Sequence, residues 1–392
     1  MNVILFDNNE VRKNLLPLTY TRPIARLRIG ITTIEDKWRL LLGEKNRYSH
    51  LTATYLTTLF PARVTADNLL VAAHVVPDEQ LAAQVAALQR GDALMQGETL
   101  IAYRGSAHGF DRRNFKRTLF AESKPVILNY LYDIFEKNGE VLAADFKRLS
   151  QERRVDVPDT CTVIGDKARL HIDEGASIDG ATFNTREGDI YIASDVEVME
   201  GACVRGPFSA LGGSKVRIGA KVYGATTLGP HCKIGGEVEN TVMIGYSNKA
   251  HEGFLGDAVI GEWCNLGGGT TTSNLKNDYS EIKLWNYAAQ RFVRTGLQFC
   301  GPVMGDHCKT GINSMLNTAT VLGVGVNIHG AGFPRNFVPS FMEGNSSAGF
   351  KNVNFDTFIA TATRVMARRN ITLTPDLRDV YLAIYNISDR YK

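Results

Sequence analysis

From about residue 155 the aliphatic residues of this chain return every six positions. Ile172 and Ile178 are six apart, as are Ile192, Val198 and Val204, and again Val216, Val222, Leu228 and Ile234. The period is neither the 2 of a half-buried strand nor the 3.6 of a helix. Hexapeptide repetition marks a parallel β-helix, in which three hexads close one triangular coil of about 18 residues. One aliphatic side chain per hexad points inward, and small residues such as Gly219, Gly229, Gly235, Gly261 and Gly267 allow the tight corners. Residues 156–332 have room for up to about nine coils. Helices of this kind wind left-handed, against the usual right-handed crossover. The ladder falters at 206–214, 246–254 and 276–298, each read as a loop. The last is polar and aromatic, and a segment extruded from a stacked coil is a frequent place for function.

The other regions have different patterns. Residues 1–122 mix β-branched runs such as Val3–Phe6 with helical stretches. Residues 79–92 carry an apolar stripe at Leu81, Val85 and Leu88, so an α/β layer is expected. Residues 123–154 read as a helical linker with Val126, Leu128, Leu131, Ile134 and Phe135 on one face and a break at Gly139. The β-helix is assigned to 155–340 and a helical tail to 341–392. In that tail Phe358, Ile359, Ala362, Val365 and Met366 form one helical face, and a second helix is expected near 375–391. Such a tail caps the open edge of the last coil.

A net charge of +3 gives no reason to expect a nucleic-acid partner. The N-terminal run is too short and too acidic for a signal peptide, and no apolar stretch is long enough to span a bilayer. The six cysteines form no CxxC pair, so reduced thiols in a cytoplasmic protein are expected, with no membrane partner and no metal site.

The stretch 247–274, SNKAHEGFLGDAVIGEWCNLGGGTTTSN, superimposes the hexads on one histidine, His251. It resembles the acetyltransferase domain of the bifunctional N-acetylglucosamine-1-phosphate uridylyltransferase / glucosamine-1-phosphate N-acetyltransferase family. The resemblance implies an acetyl-CoA-dependent N-acetyltransferase on an amino-sugar phosphate or nucleotide sugar, with His251 as general base. It implies substrate contacts at Asn265, Asn274, Phe254 and Lys283, and acetyl-CoA contacts at Gly268 and Gly330. It also implies a homotrimer with coenzyme A between neighbouring helices. Phe254 and Leu275 replace family tyrosines, Lys276 stands beside Lys283 near the family's phosphate-binding lysine, and Glu239-Asn240 falls where the family has a basic pair.

Residues 16–23, LPLTYTRP, resemble a segment of the sugar-phosphate nucleotidyltransferases, which implies a nucleotidyltransferase-like fold for the α/β region. Asp7 to Lys13 stands where that family has a glycine-rich phosphate loop. Arg12, Lys13 and Arg22 are the candidates for holding a nucleotide or phosphate, with Mg2+ only if this domain is active. The alternative reading is a sugar-1-phosphate nucleotidyltransferase whose β-helix serves mainly for trimerisation.

The acetyl-transfer chemistry explains the residue types. A sugar amine must lose a proton as its C–N bond to the acyl group forms, and an imidazole titrates in the range suited to that task. The developing oxyanion needs donors, and the glycine-rich turn at 266–270 offers backbone N–H groups without side-chain obstruction. A trio of histidines, His231, His307 and His329, raises the rival of a zinc site, but the close i, i+5 type pair it needs is missing.

Overall fold

Ile190 pairs with Phe208 and Phe208 with Thr226, in parallel and in steps of 18 residues. This is the three-hexad coil that the periodicity predicts. The computed structural model describes residues 1–150 and 155–392, and in it the coils stack into three faces. The first face has nine strands, from Leu170–Ile172 to Phe337–Val338. The second starts at Ser177–Ile178 and ends in an antiparallel pair, Met342–Asn345 with Gly349–Asn352. The third runs from Thr162–Ile164 to Phe254–Gly256, and Thr271–Thr272 pairs with Met315–Leu316 further on. Every residue of the three six-spaced series lies in one buried cluster. Each such side chain contributes about 1.5–3 kcal/mol by leaving water.

The three faltering segments have three different origins. Residues 206–214 are not a loop: Phe208–Ala210 is a regular first-face strand, Ala210 holds the hexad position between Val204 and Val216, and Phe208 points into the coil two residues before it. At 246–254 nothing is inserted: Met243, Lys249 and Leu255 stand six apart, and the coil is short because residues are missing upstream, Thr227 already pairing with Val242 only 15 residues on. Residues 276–298 are a true insertion. They form an antiparallel hairpin, Lys283–Asn286 with Arg291–Arg294, and the next first-face partner of Val259 is Val303.

The chain divides into two compact units. The first comprises residues 1–15, 21–27 and 32–130, and the second 16–20, 28–31 and 131–392. The first unit holds a six-stranded mixed sheet with Asn2–Phe6 flanked in parallel by Arg47–Leu51 and Asn68–Ala72. Its helix Ile34–Leu42 starts at a capping box made by Thr33 and Asp36. Its helix Glu79–Ala87 is capped by Asp78, and Leu81, Val85 and Leu88 are buried as expected.

In the second unit the linker region forms helices Asp133–Glu136 and Asn138–Leu149. The break falls at Lys137, not at Gly139. Gly139 lies in the first turn of the second helix, where a Cβ would stand 3.2 Å from the Cβ of Ala225, so its small size serves close approach to the coil. The linker was expected to begin as helix, but Val126–Ile127 is a short strand. Residues 151–154 lie outside the described residues. The tail forms helices Phe355–Ala367 and Pro375–Ser388, with Phe358, Ala362 and Met366 buried on the expected face.

Candidate active site

His251 sits where the chain turns from the second face to the third, just after the strand Asn248–Lys249. Its side chain is exposed and lies over Gly268 of the next coil. A Cβ at 268 would come within 3.7 Å of the His251 Cβ and 3.8 Å of its Cγ, so glycine keeps the backbone beside the imidazole uncovered. In the turn 267–270 the N–H of Gly267 donates to Thr310, that of Gly269 to Glu252, and that of Thr270 to Gly267. The Gly268 N–H is the amide of this turn without an acceptor among the described residues. A histidine and an uncommitted backbone donor thus stand at one corner. Beneath them Lys249 is buried, and its Nζ donates to the His251 carbonyl at 2.6 Å. Burial pushes the Lys249 ammonium down to about 8. Sequence reasoning missed this lysine, although it stands six residues from both Met243 and Leu255, in the inward register of the hexads.

One corner further along, Phe254 and Asn274 converge at Gly256, where a Cβ would meet the Phe254 ring and the Asn274 amide. Asn274 Nδ2 donates to Asp257 Oδ2, and Asn240 Nδ2 donates to Asp257 Oδ1, both at 2.7 Å. Asp257 is buried, and burial raises its carboxyl above the ordinary range against the pull of the two amides. Glu239 is raised too, by burial and by the neighbouring Asp257 and Glu237. Where the related family has a basic pair, this face is therefore acidic, and Asn240 is committed to Asp257.

The other candidates lie apart from His251. Asn265 is exposed on the second face, 3.4 Å from Asn248. Lys283 and Lys276 line a different cavity, about 780 Å³, beside the hairpin together with Phe292 and Arg335. Gly330 (φ +83°) lies two coils beyond Gly268 at the same corner. His231 and His307 belong to an aromatic stack described below, with His307 Nε2 2.8 Å from the Tyr381 hydroxyl, and His329 is exposed. Among the described residues no group of three or more His, Cys, Asp or Glu is placed to hold a metal ion.

In the first unit, helix Asn9–Asn14 follows the first strand, and Asn8 caps it by accepting from Glu10 and Val11 N–H. The amides that would meet a phosphate are already taken by the chain's own side chain. Arg12 is buried, donating to the Tyr55 hydroxyl at 2.6 Å and lying 3.6 Å from Asp7. Arg22 is buried and Lys13 exposed. Asp7, raised by burial, accepts from Thr52 and from the Ile24 N–H. A carboxyl so engaged does not fit a Mg2+ ligand.

Residues 3–154 match the family model of sugar nucleotidyl transferases. A bifunctional sugar-1-phosphate nucleotidylyltransferase/acetyltransferase from Sulfurisphaera tokodaii is 31% identical over 145 residues, 36% of each chain. The bifunctional protein GlmU of a Synechococcus species is 32% identical over 173 residues, 43% of this chain and 30% of that one. GlmU of Trichodesmium erythraeum is 34% identical over 116 residues, 29% of this chain and 21% of the relative. The matched region thus spans about a third or less of these relatives' own length. Among solved structures, a UDP-N-acetylglucosamine acyltransferase from Francisella novicida aligns over 57% of this chain and 77% of its own, at 14% identity and a TM-score of 0.32.

Proposed function

From the match of residues 3–154 to the sugar nucleotidyl transferase family model, with a hexapeptide-repeat β-helix following, we propose that the chain is an acetyl-CoA-dependent N-acetyltransferase acting on an amino-sugar phosphate. The observation that carries this reading is the pairing of His251 with the uncommitted Gly268 N–H. The imidazole removes the proton of the attacking amine, and the Gly268 N–H donates to the oxygen of the tetrahedral intermediate. The thiolate of coenzyme A then leaves as the C=O re-forms. Lys249 fixes the His251 backbone from below and is a positioning residue. The partial matches to bifunctional nucleotidylyltransferase/acetyltransferases support the same class.

Nucleotidyl transfer in the first unit is the second reading, and the family match favours it. Against it stand the self-capped helix at Asn8 and the engaged Asp7. A homotrimer is part of the proposal, since an exposed corner such as His251 gains a closed site only from a neighbouring surface. The test is acetyl transfer from acetyl-CoA to glucosamine-1-phosphate, followed as free thiol. His251→Ala is expected to lower kcat by 10²-fold or more, with an unchanged melting temperature. A variant at full rate removes the assignment.

A further inference from the structure

On the second face, Lys233, Asn248, Asn265 and Lys309 stand one above another, brought into line by successive parallel pairings. With Arg368 and Arg369 from the end of helix Phe355–Ala367 they line a cavity of about 290 Å³. Tyr246 and Trp263 form part of its wall, and no carboxylate lines it. None of the four cations is in an ion pair among the described residues. Arg369 is anchored by a hydrogen bond to the His231 carbonyl at 3.3 Å, and Lys309 by one to the His307 carbonyl at 2.9 Å. Both lysines are pushed down by burial, and Lys233 further by Arg369, Lys215, Arg217 and Arg368 around it.

Like charges gathered in a partly enclosed space repel, and the arrangement is stabilised when an anion joins them. Arginine forks and lysine ammoniums are the side chains suited to phosphate oxygens. Asn248 adds a second signal: its buried Oδ1 has no hydrogen-bond partner, while its Nδ2 faces Asn265. Turning the amide over exchanges donor for acceptor, so either orientation leaves one polar atom for a ligand.

We propose that this cavity is a phosphate-binding site, in which Lys233, Lys309, Arg368 and Arg369 hold the phosphate while Asn248 and Asn265 hydrogen-bond the remainder of the ligand. It moves phosphate recognition away from Lys276 and Lys283, which line another cavity, and away from the acidic third face. The site itself needs no assumption about the reaction. Only the source of the phosphate, acceptor or acetyl-CoA, rests on the acetyl-transfer reading.

The probe is inorganic pyrophosphate, titrated calorimetrically into the full chain. Binding that weakens with added salt is expected, and at least a tenfold loss in Arg368→Gln/Arg369→Gln and separately in Lys309→Met. Wild-type protein that does not bind, or variants that bind equally well while keeping the wild-type melting temperature, overturn the proposal. In the acetyl-transfer assay the same variants are expected to raise the KM of one substrate with kcat nearly unchanged. A raised KM for glucosamine-1-phosphate identifies the acceptor as the source, and a raised KM for acetyl-CoA identifies the donor. Unchanged values for both overturn the assignment of the phosphate to either substrate, while pyrophosphate binding alone decides the site. If wild-type protein transfers no acetyl group yet binds pyrophosphate through these residues, the site stands and the acetyltransferase reading falls.

Discussion

At the scale of single residues, the unusual placements are buried ionisable groups, and each has a pH signature. Lys249 titrates near 8 in the folded chain against 10.5 ordinarily. The unfolded chain therefore binds more protons between those values, and stability rises with pH from 8 to 10.5. Lys249→Met is expected to abolish that slope in melting temperature. Having lost the bond to His251, it is also expected to lower kcat about tenfold with little change in KM. His74 is buried and pushed down to about 4 by that burial. The unfolded chain takes up the proton first, so stability is lost as pH falls from 6.5 towards 4, by about 3 kcal/mol in all. His74→Leu is expected to flatten this acid limb, as measured by urea titrations at several pH values. Neither placement was read in the sequence: Lys249 occupies a hexad position that otherwise takes an aliphatic residue, and His74 is in a turn, where nothing local says whether it faces solvent or core. His251 was legible only through its neighbours in the 247–274 motif.

At the scale of elements, the corner between the first and second faces carries a column of bulky residues with positive φ: His231, Tyr246, Trp263 and His307. Glycine is the ordinary occupant of that conformation, and a bulky side chain there is strained. Stacking offsets the cost. The Tyr246 and Trp263 ring centroids are 4.2 Å apart and nearly parallel, and the tail contributes Phe358 and Tyr381 around His307. Trp263→Ala is expected to destabilise by about 3–5 kcal/mol in urea unfolding, since it removes a buried ring and keeps the strained backbone. The hexads themselves were legible because each inward position tolerates only a narrow range of volumes. Phe208 was misread as part of a loop because an aromatic residue beside glycines breaks the aliphatic pattern while still filling the coil. Residues 246–254 were read as an interruption because the three residues missing upstream shift the register and Lys249 takes the inward position where an aliphatic residue is usual.

At the scale of the whole molecule, the second unit includes residues 16–20 and 28–31 as well as everything from 131 onward. Gly30 is held on all sides: its N–H donates to Asn138 Oδ1 at 2.7 Å, and its carbonyl accepts from Thr227 Oγ1 at 2.9 Å. Ile31 N–H donates to Asp145 Oδ2 at 2.8 Å, and the Arg28 guanidinium bonds the Ile31 and Ile244 carbonyls. With φ at +67° and a Cβ that would lie 2.6 Å from Asp145 Oδ2, Gly30→Ala is expected to destabilise the second unit by about 2–4 kcal/mol, seen as a lowered melting temperature. The hexad repeat was legible, but this early segment was not. Its partners are distant in sequence, and nothing local distinguishes it from a loop.

That interleaving bears on how the chain is made. Gly30 and Thr227 are 197 residues apart. At ribosomal rates of about 5–20 residues per second, Gly30 emerges some 10–40 s before Thr227 exists, and Ile244, the partner of Arg28, follows later still. Until then the Gly30 carbonyl is met only by water or by whatever protein attends the nascent chain. The second unit therefore reaches its full set of bonds late in translation, although its first contributors are among the earliest residues synthesised.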